Sequence, residues 1–297
     1  MEIKVVLVDA FTAKAGGGNP AGVVEYGEGL SPEQMLFIAK EIGFSETAFV
    51  SPSKTADYKV RFFTPSDEVD LCGHATIATF AYLFKSGKIK AGLFTQETKA
   101  GVLTVEVKET GDVFMEQSLP VFYEIIPKEK IAESLGILPE AISDLFPVEI
   151  VSTGLRDIIV PLKSLADLKS IKPDFEKIKI ISKDYDAVGY HAFTLETENN
   201  GTAQCRNFAP LYDIPEESAT GTSNGALACY LWKYGKGLVK SDQVLVFEQG
   251  YTMGRPSEIK GIVKVDFSDK KEKIEKILIG GKAVPWGEKI IKWGENN

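Results

Sequence analysis

The sequence predicts an α+β fold of two pseudo-symmetric domains, each a strongly curved, β-barrel-like sheet around a central helix. Three observations predict it. One pattern occurs twice, 148 residues apart: positions 73–88 and 221–236 share seven of sixteen residues, an offset near half the chain, as expected of two copies of one design. Within the two copies, residues 77–84 and 226–232 are apolar all round, and a helix with no polar face has to be buried on every side. The rest of the chain is dominated by strand-like runs, which leaves sheet as the material to bury those helices.

The elements follow in order. Strands are expected at 4–8, 47–50, 58–63, 103–108, 158–162, 187–195, 202–208, 243–249 and 259–267, where β-branched and aromatic residues run between Gly, Pro and Asp boundaries. Ser31 before Pro32 predicts a helix over 32–41, capped by the serine and opened by the proline. Shorter helices are expected over 128–135, stopped by Gly136, and over 139–145. Gly87 and Gly235 suit the C-terminal stops of the repeated helices. The repeat also extends upstream. Arg61-Phe62-Phe63-Thr64-Pro65 precedes the first copy and Arg206-Asn207-Phe208-Ala209-Pro210 the second, with a connection three residues longer. The break at Pro120 places the boundary within 119–127. The expected domains are 1–121 and 122–297, with the last strand and tail, about 277–297, packing back on the first.

Composition narrows the function. In 297 residues, 44% are hydrophobic and the net charge is −8, with no basic patch, which argues against a nucleic-acid partner. The basic run at 270–276 is interleaved with acids and reads as a solvated face. Cys72, Cys205 and Cys229 are scattered, only two histidines occur, and no Cys-x-x-Cys or Gly-x-Gly-x-x-Gly pattern is present. No metal and no organic cofactor are therefore expected. No apolar run approaches the roughly 18 residues of a membrane span. The N-terminal run reads as a strand and not a signal peptide, so a reducing cytoplasm is expected.

The two copies differ where chemistry would sit. Cys72 and Thr220 precede the shared glycines Gly73 and Gly221, and His74 and Thr222 follow them. A helix start offers free N–H groups and a partial positive charge. Two of them at one cleft between the halves would receive a carboxylate or a developing oxyanion. Acid–base candidates for that cleft are Glu46, Cys72, His74, Glu216, Glu217 and Thr222. Glu46 sits in a turn among Phe44, Ala48 and Phe49, where a carboxylate is easily desolvated, as a proton shuttle requires. Plainer readings exist. Each glycine would only cap a helix, Glu46 would lie on a strand edge, Cys72 would be a small buried hydrophobe, and His191 reads as structural.

At these residues the chain resembles the phenazine-biosynthesis-like (PhzF) family, and is more distantly similar to diaminopimelate epimerase. The segments carrying the resemblance are Val8-Asp9-Ala10-Phe11-Thr12, Gly18-Asn19-Pro20-Ala21-Gly22, Gly43-Phe44-Ser45-Glu46-Thr47, Arg61-Phe62-Phe63-Thr64-Pro65, Asp70-Leu71-Cys72-Gly73-His74, Thr153-Gly154-Leu155-Arg156-Asp157, and residues 206–222. The resemblance implies a diaminopimelate epimerase-like fold with the active site between its halves. It also implies cofactor-independent proton transfer on a small carboxylate substrate, and a homodimer. It puts the catalytic glutamate at Glu46, the histidine at His74 and the amides at Gly73 and Gly221. The family's Asp-Pro-Ala-Thr-Gly-Ser run becomes Glu217-Ser218-Ala219-Thr220-Gly221-Thr222, so charge and hydroxyl survive on bulkier side chains. That puts dihydro-3-hydroxyanthranilate in question as the substrate. The expected catalytic set is Glu46, His74 and Glu217, and the substrate-binding set is Asn19, Cys72, Gly73, Thr220, Gly221 and Thr222. A two-thiol epimerase is disfavoured because Thr220 stands where a second cysteine would be needed. The reading is an isomerase with Glu46 as acid and base. The alternatives are an amino-acid racemase or epimerase, or a binding protein that kept the fold without turnover.

Overall fold

The structure is a computed structural model that describes residues 1–268 and 272–294. Part of the basic run at 270–276 and the end of the tail lie outside the described residues. In chain order the first elements are β1 (Glu2–Ala10), β2 (Asn19–Val24), α1 (Pro32–Ile42), β3 (Glu46–Ser51), β4 (Tyr58–Phe63), β5 (Glu68–Val69), α2 (Gly73–Lys85), β6 (Gly92–Thr98), β7 (Gly101–Val107) and β8 (Val113–Gln117). Next come β9 (Val121–Ile125), α3 (Lys128–Leu135), β10 (Glu149–Ser152), β11 (Arg156–Pro161), α4 (Leu165–Ser170), α5 (Phe175–Asp184), β12 (Gly189–Thr194), β13 (Ala203–Ala209) and β14 (Ile214–Glu217). The chain ends with α6 (Gly221–Tyr234), β15 (Val244–Gln249), β16 (Ser257–Asp266), β17 (Lys273–Gly281) and β18 (Ala283–Lys292). It divides into two compact units, one of Met1–Glu116 with the chain from Gly280 onward, the other of Gln117–Ile279. No helix among the described residues is long and apolar enough to cross a membrane.

Both units use one pairing scheme. In the first, β1 pairs antiparallel with β2, β2 parallel with β3, β3 antiparallel with β4, β4 parallel with β6, and β6 antiparallel with β7. In the second, β10 to β11, β11 to β12, β12 to β13, β13 to β15 and β15 to β16 repeat that alternation step for step. Each parallel step needs a crossover, and helices supply them: α1 and α2 in one unit, α4 with α5 and then α6 in the other. The short strands β5 and β14 fold back on β4 and β13 just before the central helices.

The central helices are α2, packed by β1, β2, β3, β7 and β18, and α6, packed by β10, β11, β12 and β16. Strands on several sides of one helix require a strongly curved, mixed sheet, and the fold is α+β as the sequence predicts. A second layer covers each unit. Met35, Ile38 and Ala39 of α1 share a core with Ile3, Val5 and Phe49. Ile131, Leu135, Leu168, Ile178 and Ile181 of α3, α4 and α5 share another with Ile150, Ile158 and Tyr190. Burying the apolar faces of these layers and of the central helices favours folding by about 25 cal/mol per Å² removed from water.

The helix at α1 has the expected Ser31 cap, completed by a reciprocal bond to Gln34, and ends at Gly43 in the left-handed region. Two expectations are corrected. Residues 139–145 form no α-helix: only Pro139–Ala141 turns, as a 3-10 helix, because Ile142 bridges to Leu162 and extends the chain. Gly235 ends α6 without a left-handed backbone (φ −88°). Its missing side chain matters because a Cβ would stand 2.8 Å from the Leu231 carbonyl oxygen. The three extra residues of the second repeat are accommodated around the 3-10 turn Pro210–Tyr212, ahead of β14.

Candidate active site

Glu46 is placed by two local devices. Gly43 stops α1 at φ 73°, and the chain enters β3 with Glu46 as its first residue, level with Ala21 of β2. Asn19, buried, opens that neighbouring strand. The opposite wall is the start of α2. Cys72 takes the cap position in an extended conformation but makes no capping side-chain hydrogen bond. A Cβ at Gly73 would meet nothing within 4 Å, so open space lies over the first turn.

His74, the second residue of α2, gathers the cluster. Its Nε2 lies 3.3 Å from Glu46 Oε2 and 3.4 Å from Ser45 Oγ, and its Nδ1 lies 3.3 Å from Cys72 Sγ. The imidazole is buried, and Glu46 is only partly exposed. The contact to Glu46 is close enough for an ion pair but is not aligned as a hydrogen bond, and buried Oε2 has no hydrogen-bond partner among the described residues. A carboxylate oxygen held this way, beside an imidazole, can take a proton from a ligand in the open space. Such bonds often tighten only when substrate is bound. Oxygen, sulfur and nitrogen of Glu46, Cys72 and His74 all lie within 4.8 Å of one another, a donor set that a divalent cation could also use.

In the second unit, Glu217 ends β14 and Thr220 occupies the cap position before Gly221, again without a capping side-chain bond. The Thr220 hydroxyl donates instead to Glu217 Oε2 at 2.6 Å. Thr222 offers its carbonyl oxygen to Thr153 Oγ1 at 3.2 Å. The structure thus brings Glu46, Cys72, Gly73 and His74 together at one helix start, and Glu217, Thr220, Gly221 and Thr222 at the other.

Glu216, an acid–base candidate from sequence, is committed elsewhere. Arg206 Nε and its terminal nitrogen donate to its two oxygens, each at 2.9 Å. Arg61 grips Glu68 in the first unit by the same fork, at 2.7 and 2.9 Å. The two guanidinium groups also lie over Phe63 and Phe208, at 5.1 and 4.9 Å. The repeated Arg-x-Phe therefore encodes a strut that ties β4 to β5 and β13 to β14.

Sequence reasoning missed the polar interior beneath α6. Asn207 Nδ2 can only donate, so His191 Nδ1 accepts from it at 3.2 Å. Nε2–H then donates to Asn224 Oδ1, also at 3.2 Å. Burial pushes the His191 imidazole down to about 4, partly opposed by the Asn224 bond, so it is neutral and structural. Asn207 also donates to Ser223 Oγ at 3.0 Å, and Ser223 donates to Asp157. Burial pushes the Asp157 carboxyl up to about 7, against the Ser223 bond and with help from the Glu217 charge. The available signal was weak: Asn224 and Gln249 stand at the edges of the apolar runs 226–232 and 244–247.

Matched curved sheets about buried helices, with acid–base side chains at the helix starts, define an enzyme of the epimerase-like α+β class. The chain belongs to the phenazine biosynthesis-like protein family, whose model matches residues 8–289. An uncharacterized isomerase of Bacillus subtilis is 34% identical over 98% of this chain and 99% of its own. The trans-2,3-dihydro-3-hydroxyanthranilate isomerase of Pseudomonas chlororaphis is 28% identical over 96% and 98%. A PhzF-family phenazine biosynthesis protein of Bacillus anthracis superposes with a TM-score of 0.90 at 34% identity, over 99% of this chain and 100% of that one. A hydroxyproline epimerase of Agrobacterium vitis shares the fold at 12% identity, with a TM-score of 0.62 over 98% and 92%. With isomerases matched end to end at such identities, the chain is an isomerase of this family.

Proposed function

We propose that this isomerase moves a proton within a small carboxylate-bearing substrate, with Glu46 as the single acid and base and without metal or organic cofactor. Glu46 takes a proton from one carbon, and the C–H electron pair shifts into the adjacent double bond. The far carbon of that system then recovers the proton from Glu46. Composition is unchanged, and no oxidant is consumed. His74 polarises the substrate, Glu217 orients it, the Gly73 and Gly221 amides hold its carboxylate or enolate, and Asn19, Cys72, Thr220 and Thr222 contact it. The enzyme is proposed to act as a homodimer in the cytoplasm.

One observation carries the reading. Glu46 Oε2 is buried, lies 3.3 Å from His74 Nε2 and lacks a hydrogen-bond partner among the described residues, at a helix start with open space over it. The relative named for trans-2,3-dihydro-3-hydroxyanthranilate supports a cyclic carboxylate as the substrate class. A racemase reading has its own support in Cys72 Sγ, 3.3 Å from an imidazole nitrogen able to activate it. A two-base racemase needs a second group across the carbon, however, and the Thr220 hydroxyl at the matching position is engaged with Glu217.

The test is incubation in deuterium oxide with trans-2,3-dihydro-3-hydroxyanthranilate and with a panel of cyclic carboxylates and amino acids. An isomerised product is expected. Inversion of an amino-acid α-carbon with deuterium incorporation, and no isomerised product from any compound, would replace this reading with the racemase.

A further inference from the structure

Gln249 is the last residue of β15, fully buried, and every polar atom of its side chain is spent on the loop that carries Glu217. Its Nε2 donates to the Glu217 carbonyl oxygen at 2.8 Å and to Thr220 Oγ1 at 3.0 Å. Its Oε1 accepts from the Thr220 amide at 3.3 Å and from Asn224 Nδ2 at 2.9 Å. Asn224 Nδ2 also donates to the Thr220 carbonyl oxygen at 2.9 Å.

The direction of these bonds is forced. Because Gln249 donates to the Thr220 hydroxyl oxygen, that hydroxyl is left to donate its own proton, and it does so to Glu217 Oε2. Upstream, Asn207 donates to His191, His191 to Asn224 and Asn224 to Gln249. A one-way series of donors runs from the buried sheet to the Glu217 carboxylate. The neighbouring backbone is gripped as well. Gly250 sits at φ +80°, and a Cβ there would stand 2.6 Å from the Ser218 carbonyl oxygen, so only glycine lets the hairpin end approach. Ser257 Oγ, opposite Gln249 in the β15–β16 register, donates to that Ser218 oxygen at 2.7 Å.

We propose that Gln249 is a positioning residue for this enzyme, fixing the Glu217 carboxylate and the opening amides of α6 through the Thr220 hydroxyl and the loop backbone. The proposal rests on the reading that Glu217 and the α6 start act on the substrate. Groups that have to be held in a productive geometry are supported by residues that never touch the substrate, and a misplacement of about 1 Å costs about 10²-fold in rate.

Two variants test it. Gln249→Glu keeps the shape and the acceptor but as a carboxylate cannot donate to Glu217 or Thr220. Gln249→Met keeps volume and loses all four bonds. Ser257→Ala is the comparison, since Ser257 grips the same loop through the Ser218 carbonyl oxygen. With trans-2,3-dihydro-3-hydroxyanthranilate as the kinetic probe, both Gln249 variants should lose kcat by about 10²-fold while KM stays within about threefold, and Ser257→Ala should stay within about threefold in both. Amide hydrogen exchange at Thr220, Gly221 and Thr222 should accelerate by at least about tenfold in Gln249→Met, with the protection of α5 unchanged. Equal losses in all three variants, or unchanged exchange at Thr220, Gly221 and Thr222, would overturn the proposal. An inactive wild type would strike the substrate reading instead, and the exchange measurement would still decide the role of Gln249.

Discussion

Glu46 and Cys72 touch the same imidazole from two sides, so their variants separate the two chemistries. Glu46→Gln keeps shape but cannot accept a proton. Turnover should fall by about 10²–10⁴-fold, the contribution of a positioned general base, with little change in KM. Cys72→Ala should be mild by comparison, and the reverse order in steady-state kinetics would point to a thiol-based racemase. Asp157 yields a second prediction. Its folded-state carboxyl is pushed up to about 7 by burial, from an ordinary value of 3.8. The folded protein therefore holds this proton more tightly than the unfolded chain does. Its stabilising share is complete below the ordinary value and is lost as pH rises through about 7. Asp157→Asn keeps an acceptor for Ser223 and never ionises. The variant should gain on the wild type between about pH 4 and pH 8, by on the order of a few kcal/mol. Thermal melts across that range check it, and a constant difference would mean that Asp157 does not titrate as a buried acid.

At the scale of elements, the two Arg–Glu struts look alike and should behave differently. Arg206 is buried and also donates to the carbonyl oxygens of Leu168 and Ile171, at 3.3 and 3.1 Å. Arg206→Met takes the cation from Glu216 and the Arg206 donor from those two carbonyl groups, and should cost about 3–5 kcal/mol, the usual penalty for breaking a buried pair. Arg61 is more exposed, and its partner Glu68 keeps Lys99 at 3.1 Å. Arg61→Met should cost only about 1 kcal/mol. Urea denaturation of the two variants measures both, and equal losses would show that burial does not set the difference. The struts matter to the site because each ties down the strand that leads into a central helix, and the position of that helix start follows.

For the molecule as a whole, the donor set of Glu46, Cys72 and His74 makes the cofactor question sharp. If proton transfer by Glu46 is the mechanism, exhaustive chelation should leave turnover unchanged. Added zinc should inhibit, because it would occupy the carboxylate and imidazole that the reaction needs. Activity lost on chelation and restored by one metal would make the cluster a metal centre instead. The proposed homodimer is checked by light scattering, where twice the chain mass is expected at assay concentration. The net charge of −8 does not help to capture the proposed carboxylate substrate, so under this proposal its capture falls to local amides at the helix starts.

The sequence by itself determined the α+β class, the duplicated design, the central helices and the family. Each of these is written in local pattern: Gly73 and Gly221 at matched positions, apolar runs with no polar face, Ser31 before Pro32. It also singled out Glu46, His74 and Cys72, which the structure gathers within one cluster. It expected the last strand and tail, about 277–297, to pack back on the first domain, but not which strand would receive them: β18 pairs with β1, at the opposite end of the chain, and strand pairing is a long-range choice that no local window contains. It favoured Glu217 over Glu216 only through the family resemblance; residue type alone left both as candidates. Adjacent residues on a strand point to opposite faces, so one carboxylate meets Arg206 and the other meets Thr220. The roles of Gln249, Asn224 and Asp157 were likewise decided only by the tertiary structure. A buried polar side chain takes its meaning from its hydrogen-bond partners, and the bonds Asn224 and Gln249 make to each other, to His191 and to the Glu217 carbonyl span 25 to 33 residues of chain.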